Sequence, residues 1–120
     1  MGTQVVFYSS KASGVFHANA NVVVTRADIT NLDELMNLSG KQLKLILNQY
    51  EVITQNSTKL GNLDGFEIRG KYNAKEGTRV IRTIVALNKN TEYVFTFTCS
   101  QDEEKNYTQI INYMIQSFHV

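Results

Sequence analysis

The sequence predicts an α+β fold in which one antiparallel sheet is packed by two helices, with elements in the order β-β-α-β-β-β-β-α. Three observations lead there. Leu63 to Cys99 consists of three alternating runs rich in Val, Ile, Thr, Tyr and Phe, separated by short breaks carrying Asn, Lys and Gly. That is the pattern of a three-strand antiparallel meander. Leu32 to Tyr50, and again Tyr107 to Phe118, carry apolar residues at three- and four-residue steps, the signature of amphipathic helices.

Taken in order, Val5–Tyr8 reads as a short strand ended by a loop, Ser9–Gly14. A second strand runs from Val15 to about Ala27, strongest at Val22–Val24, and can pair with the first as a hairpin. The first helix is capped by Asn31 or Thr30, with Glu34 in the capping-box relation to Asn31. Its apolar stripe is Leu32, Leu35, Met36, Leu43, Ile46, Leu47 and Tyr50. Gly40 interrupts the stripe at a cost of about 1 kcal/mol against alanine, and marks a kink, a break or a close contact. Glu51–Lys59 is a polar strand that turns at Leu60-Gly61-Asn62 into the meander.

The meander has an arguable register. Phe66, Ile68, Gly70 and Tyr72 share one side of their strand, and Glu67, Arg69 and Lys71 the other. The turn Ala74–Gly77 sets Arg69 opposite Arg82 and Ile68 opposite Thr83. In the last strand Tyr93, Phe95, Phe97 and Cys99 line one face. A three-residue loop, Asn88-Lys89-Asn90, brings Val85 opposite Tyr93 and Ile81 opposite Phe97. A two-residue loop places Arg82 against Phe97 instead. The longer loop is preferred because the shorter one sets an arginine on the aromatic face. Beyond Cys99, Ser100–Glu103 forms a second capping box. Asp102, Glu103 and Glu104 suit the positive end of a helix whose apolar side is Tyr107, Ile110, Ile111, Met114 and Phe118.

Composition bounds what such a chain can do. Its 120 residues, 42% hydrophobic and 19% charged, suit a single domain spanning 1–120. A chain of this size buries roughly two-thirds of its unfolded surface, enough for a core without metal or disulfides. A net charge of +1 gives no global attraction to nucleic acid or an anionic membrane. One cysteine excludes an internal disulfide and any multi-cysteine metal site.

No reactive constellation emerges, and no catalytic, cofactor-binding or metal-ligating residue is assigned. His17 and His119 lie far apart, with no acidic or thiol partner at ligand spacing. Cys99 alternates with aromatic residues and reads as a buried, inert thiol. Gly65, Gly70 and Gly77 do not form a phosphate loop. The exposed feature that stands out is the basic cluster Arg69, Lys71 and Arg82. Two arginines directly opposed on paired strands repel unless an anion or carboxylate sits between them. The cluster is therefore a candidate contact for an anionic partner, the competing reading being neutralisation by Glu67 and Glu51.

Several of these features together resemble the PsbP-like superfamily. They are the opening strand pair Val5–Tyr8 and Asn19–Val24, the helix Leu32–Tyr50, the strand start Leu63-Asp64-Gly65-Phe66-Glu67-Ile68, the run Tyr93–Thr98, and the closing helix ending in Ser117-Phe118. The group includes the photosystem extrinsic protein PsbP, the nuclear Ran-binding Mog protein, DcrB-type lipoproteins and chaperones of type VI secretion effectors. The resemblance spans nearly the whole chain and implies helices packed on an antiparallel sheet in three layers. Members usually open with a further hairpin, often carrying a Pro-x-x-Trp segment; this chain has neither proline nor tryptophan.

Function follows as an expectation. A core, caps and turns without convergent reactive groups point to a non-enzymatic binding or assembly module, and the resemblance agrees. It suggests an extracytoplasmic, lipoprotein-type bacterial domain that meets the membrane only through a removed N-terminal anchor. The alternatives are a cytoplasmic chaperone or adaptor for a secretion effector and, further off, a small-ligand enzyme. A protein partner is expected, and nucleic acid is not. The apolar strand Val5–Tyr8, lacking the family's preceding hairpin, predicts a homodimer formed through that N-terminal edge.

Overall fold

The computed structural model describes residues 3–13 and 16–119, with side chains described from 18 to 119. The described residues form six strands and two helices: β1 (Thr3–Ser13), β2 (Phe16–Arg26), α1 (Leu32–Ile46), β3 (Glu51–Leu60), β4 (Leu63–Ala74), β5 (Gly77–Asn88), β6 (Thr91–Ser100) and α2 (Glu104–Ser117). A 3₁₀ turn, Gln101–Glu103, leads into α2. The strands make one antiparallel sheet in the order β1-β2-β6-β5-β4-β3. The hairpin β1–β2 docks onto β6, so the last strand made lies between the first two and the rest.

Two apolar clusters lie on opposite faces, giving the three layers. Under α1 sit Phe66 and Ile68 of β4 with Ile81 and Val85 of β5, joined by Leu35 and Tyr50. Under α2 sit Val80, Ile84 and Ala86 of β5, Phe95, Phe97 and Cys99 of β6, Ala18 and Ala20 of β2, and Leu60, met by Ile111 and Ile115. Strand β5 therefore feeds both faces, and its residues Arg79 to Ala86 are buried apart from Arg82. Tyr107 packs on Phe97 with ring centres 5.6 Å apart, and Phe118 meets Tyr93 edge-on at 5.7 Å.

The register departs from expectation at one hairpin. Arg69 faces Arg82 and Ile68 faces Thr83, as read. The β5–β6 loop, however, holds two residues, Lys89 and Asn90, with Lys89 at φ 58°. Arg82 consequently faces Phe97, and Val85 faces Val94. The arginine is tolerated because Glu67 and Asn112 take up its guanidinium. The shorter loop also separates the aromatic sets: Phe66 and Tyr72 go with α1, Phe95 and Phe97 with α2. Each helix thus has its own aromatic floor.

Other boundaries moved too. Strand β1 continues through Ser9–Ser13, where a loop was expected, with an irregular register between Tyr8 and Ala12. Gly14 and Val15, the other ends of that expected loop and strand, lie outside the described residues, as do Met1 and Gly2. Ile46 and Ile110, both counted in the apolar stripes, are 77% and 57% exposed. Ile46 ends α1, after which the chain turns extended at Leu47 and places Tyr50, not Ile46, over the sheet. Asn31 caps α1 as expected, accepting from the Glu34 amide at 3.1 Å. Ser100 does not cap α2; its hydroxyl donates to the Glu103 carboxylate instead.

Glycines are used where the backbone must come close. Gly61, at φ 60°, donates its amide to the Ile115 carbonyl, and a methyl group there would strike the Phe118 backbone. The β3–β4 turn thereby holds the end of α2. Gly70 gives room to the Tyr50 ring. Gly40 has no such reason: α1 is unbroken across it, and a methyl group would meet nothing within 4 Å.

Two stability measurements check this packing. Phe97→Ala should lower the unfolding free energy by about 3–5 kcal/mol, because it empties the floor beneath α2. Gly40→Ala should raise it by about 1 kcal/mol, because it replaces a helix-weakening residue in open space. Denaturant midpoints moving the other way would contradict these placements.

Candidate functional site

The basic cluster sits on the α2 face of the sheet. Cross-strand pairing brings Arg69 and Arg82 side by side, and the like charges need carboxylates between them. Arg69 donates through Nε and Nη2 to both oxygens of Glu104, at 2.6 and 2.5 Å. Arg82 donates through Nε to Glu67 at 2.5 Å and through Nη1 to Asn112 at 3.2 Å. The two-point contact is the strong geometry for an arginine and a carboxylate. Hydrogen bonding to Glu104 raises the Arg69 pKa further above its ordinary value. Lys71 is held more loosely, 3.7 Å from the exposed Glu51.

These contacts tie α2 to the sheet. Glu104 opens the helix and Asn112 lies two turns on, so two arginines on neighbouring strands grip it at separate points. The hollow around them, about 350 Å³, is rimmed by Thr54, Lys105 and Thr108. Sequence reasoning brought Arg69, Lys71 and Arg82 together and named Glu67 and Glu51. It missed Glu104, which reads equally well as an acidic residue at a helix start, and Asn112, whose spacing carries no signal.

A second hollow of about 350 Å³ lies on the other side of the sheet, between α1 and the edge strand. Met36, Asn37, Gly40, Lys41 and Lys44 line it from the helix, and Val52 and Gln55 from β3. Among the described residues strand β3 pairs with β4 alone, and each of its residues from Glu51 to Ser57 is exposed. Its register slips between Val52 and Thr54, leaving Ile53 outside the ladder.

The remaining candidates hold little chemistry. Cys99 is fully buried, and burial pushes its thiol up to about 12, with Glu104 and Glu103 adding to the shift. His119 is exposed, with its ring nitrogen 3.1 Å from the Ser117 carbonyl, and the His17 side chain lies outside the described residues. Among the described residues no three His, Cys, Asp or Glu side chains come together to hold a metal ion. None of their helices is long and apolar enough to cross a membrane.

This architecture recurs in solved structures despite low sequence identity. PA94, a protein of unknown function from Pseudomonas aeruginosa, superimposes with a TM-score of 0.85 at 6% identity, over 100% of this chain and 84% of its own. Cyanobacterial PsbP from Synechocystis follows at 0.63, 14% identity, 98% and 81%. The Ran-binding protein Mog1p of Saccharomyces cerevisiae gives 0.68, 16%, 98% and 79%. The fold is PsbP-like. LpqN, involved in cell envelope biogenesis in Mycobacterium tuberculosis, shares that PsbP-like fold at a TM-score of 0.64, 14% identity, 97% and 83%. No protein-family model and no curated protein sequence matches the chain.

The buried thiol gives a measurable pH dependence. Its folded pKa lies above the ordinary thiol value, so its contribution to stability is complete below about pH 8.5 and is lost as pH rises towards 12. Burial also raises the Tyr50 and Tyr72 phenols, which add to the alkaline loss, so the comparison must be with Cys99→Ala. That variant should lose stability less steeply above pH 9. An aromatic disulfide reagent should label Cys99 only after unfolding; rapid labelling of the native protein would contradict its burial.

Proposed function

We propose that the chain is a non-enzymatic binding and assembly module. The observation that carries this reading is the pair Leu45 and Ile46, 86% and 77% exposed at the end of α1. Leu38 stands one heptad before Leu45 and is also exposed. Apolar side chains grouped on one flank of a helix lose less by meeting a partner than by facing water. The arginines over the sheet, by contrast, are engaged with Glu104, Glu67 and Asn112. The fold supports the same reading, since it is shared with a Ran-binding protein.

The finer reading is an extracytoplasmic, lipoprotein-type bacterial domain, supported by the fold it shares with an envelope-biogenesis protein. Of the three basic residues, Lys71 is the one best placed to meet an anionic partner, by exchanging Glu51 for a partner carboxylate. Strand β1 lies at the margin of the sheet, which suits a homodimer through that edge. A second reading, a cytoplasmic chaperone or adaptor for a secretion effector, is favoured by the same exposed leucines, which would shelter an apolar helix.

Native mass spectrometry of the tagged chain from its own cells tests the module. The wild type should retain a stoichiometric partner, and Leu45→Asp with Ile46→Asp should lose it while keeping the same unfolding midpoint. An unchanged complex would remove these residues from the contact. Fractionation of the same cells separates the envelope from the cytoplasmic reading. Sedimentation at micromolar concentration tests the dimer: a dimer that Val6→Pro converts to monomer is expected, and a monomer unaffected by the change would refute it.

A further inference from the structure

The edge strand β3 and the groove beside it share a property that the core does not require. Beyond β3 the sheet has no further strand among the described residues, so alternate main-chain amides and carbonyls of β3 point outwards. From Thr54 to Leu60 its pairing with β4 is regular, which leaves the opposite side an uninterrupted row of main-chain groups. Helix α1 runs alongside, and Gly40 opens the groove between them. A glycine in mid-helix weakens the helix, and here neither a positive φ nor a close neighbour calls for it. What it leaves is clear space above Val52 and Gln55, of a size to take a side chain from outside.

The acidic residues near this edge are already paired, Glu51 with Lys71, Glu67 with Arg82 and Glu104 with Arg69, whereas three lysines beside it are not. Lys41 and Lys44 stand exposed along the groove, and neither is in an ion pair. On the other face of β3, Lys105 is exposed beside Thr54 and Thr108, also outside the ion pairs. A strand added along β3 would send successive side chains alternately to the two faces, one row towards Gly40 and the other towards Lys105. An edge strand beside a helix is a known way of capturing an extended peptide: main-chain hydrogen bonds supply affinity and the groove supplies specificity.

We propose that β3 takes up an extended, acidic segment of a partner protein as a seventh strand, with one of its side chains seated over Gly40 between Lys41 and Lys44. The proposal rests on the binding-module reading and gives that module a partner chemistry. The open edge provides the hydrogen bonds, the glycine the space, and the three lysines the preference for acid.

The probe is a fluorescein-labelled decapeptide of valine and glutamate in alternation, with a lysine-for-glutamate peptide as control. Fluorescence anisotropy at low salt should show the acidic peptide binding about tenfold or more tighter than the basic one, the difference narrowing as salt rises. Gly40→Leu, which fills the groove while favouring the helix, should weaken binding about tenfold. Lys41→Glu combined with Lys44→Glu should do the same. Amide exchange at alternate β3 residues should slow when the peptide binds. Equal affinity for both peptides, wild-type binding by Gly40→Leu, unprotected β3 amides, or no binding at millimolar peptide would each overturn the proposal. So would a dimer joined edge to edge through β3, which the peptide could not displace. If the partner retained in cells is indifferent to Gly40→Leu, the module stands and its contact lies elsewhere.

Discussion

Strand β5 is buried on both faces, and this constraint orders the rest of the molecule. A strand in that position must offer apolar side chains in both directions, and Val80, Ile84 and Ala86 on one side with Ile81 and Val85 on the other do so. Two separate floors follow, and each needs a helix. Burying a large aliphatic side chain contributes about 1.5–3 kcal/mol, so neither floor can be left to solvent. The charges this pattern leaves on β5 are then obliged to find carboxylates: Arg79 takes Glu76, and Arg82 takes Glu67 with Asn112, so that its solution becomes part of how α2 is held.

The same economy explains the polar network. An arginine pair across two strands is unfavourable in isolation, but Glu67 neutralises Arg82 within the sheet and Glu104 neutralises Arg69 from the helix. Removing either carboxylate would leave a partly buried guanidinium exposed to its like-charged neighbour. Specific placement of α2 therefore depends on charge as well as on Ile111 and Ile115. Gly61 adds a third restraint at the far end, through the amide it gives to Ile115.

Much of the fold was legible because local and global signals agreed. The strand order of the meander, the facing of Arg69 with Arg82, and the cap at Asn31 all follow from periodicity and turn chemistry. The β5–β6 loop did not, because its choice depended on whether Arg82 could be neutralised, and Asn112 lies thirty residues away on another element. Periodicity likewise cannot tell where a helix overhangs its floor, so Ile46 and Ile110 were counted inward. The basic cluster was visible in the sequence. The groove at Gly40 was not, since a glycine without a neighbour looks the same in sequence as one that marks a kink.

The position of β6 has a consequence for how the molecule assembles. Strands β1 and β2 pair with each other, yet β2 finds the rest of the sheet only when Thr91–Ser100 has been made, Val22 meeting Phe95 across more than half of the chain. During synthesis the N-terminal hairpin therefore waits, with Val22–Val24 unpaired on that side, while the central strands emerge behind it. Contacts so distant in sequence slow folding and prolong the life of exposed strand edges. Completion falls to β6 and α2, because β6 joins the two halves of the sheet and α2 then covers the seam. The sheet is thus open along its middle until Thr91–Ser100 has emerged from the ribosome.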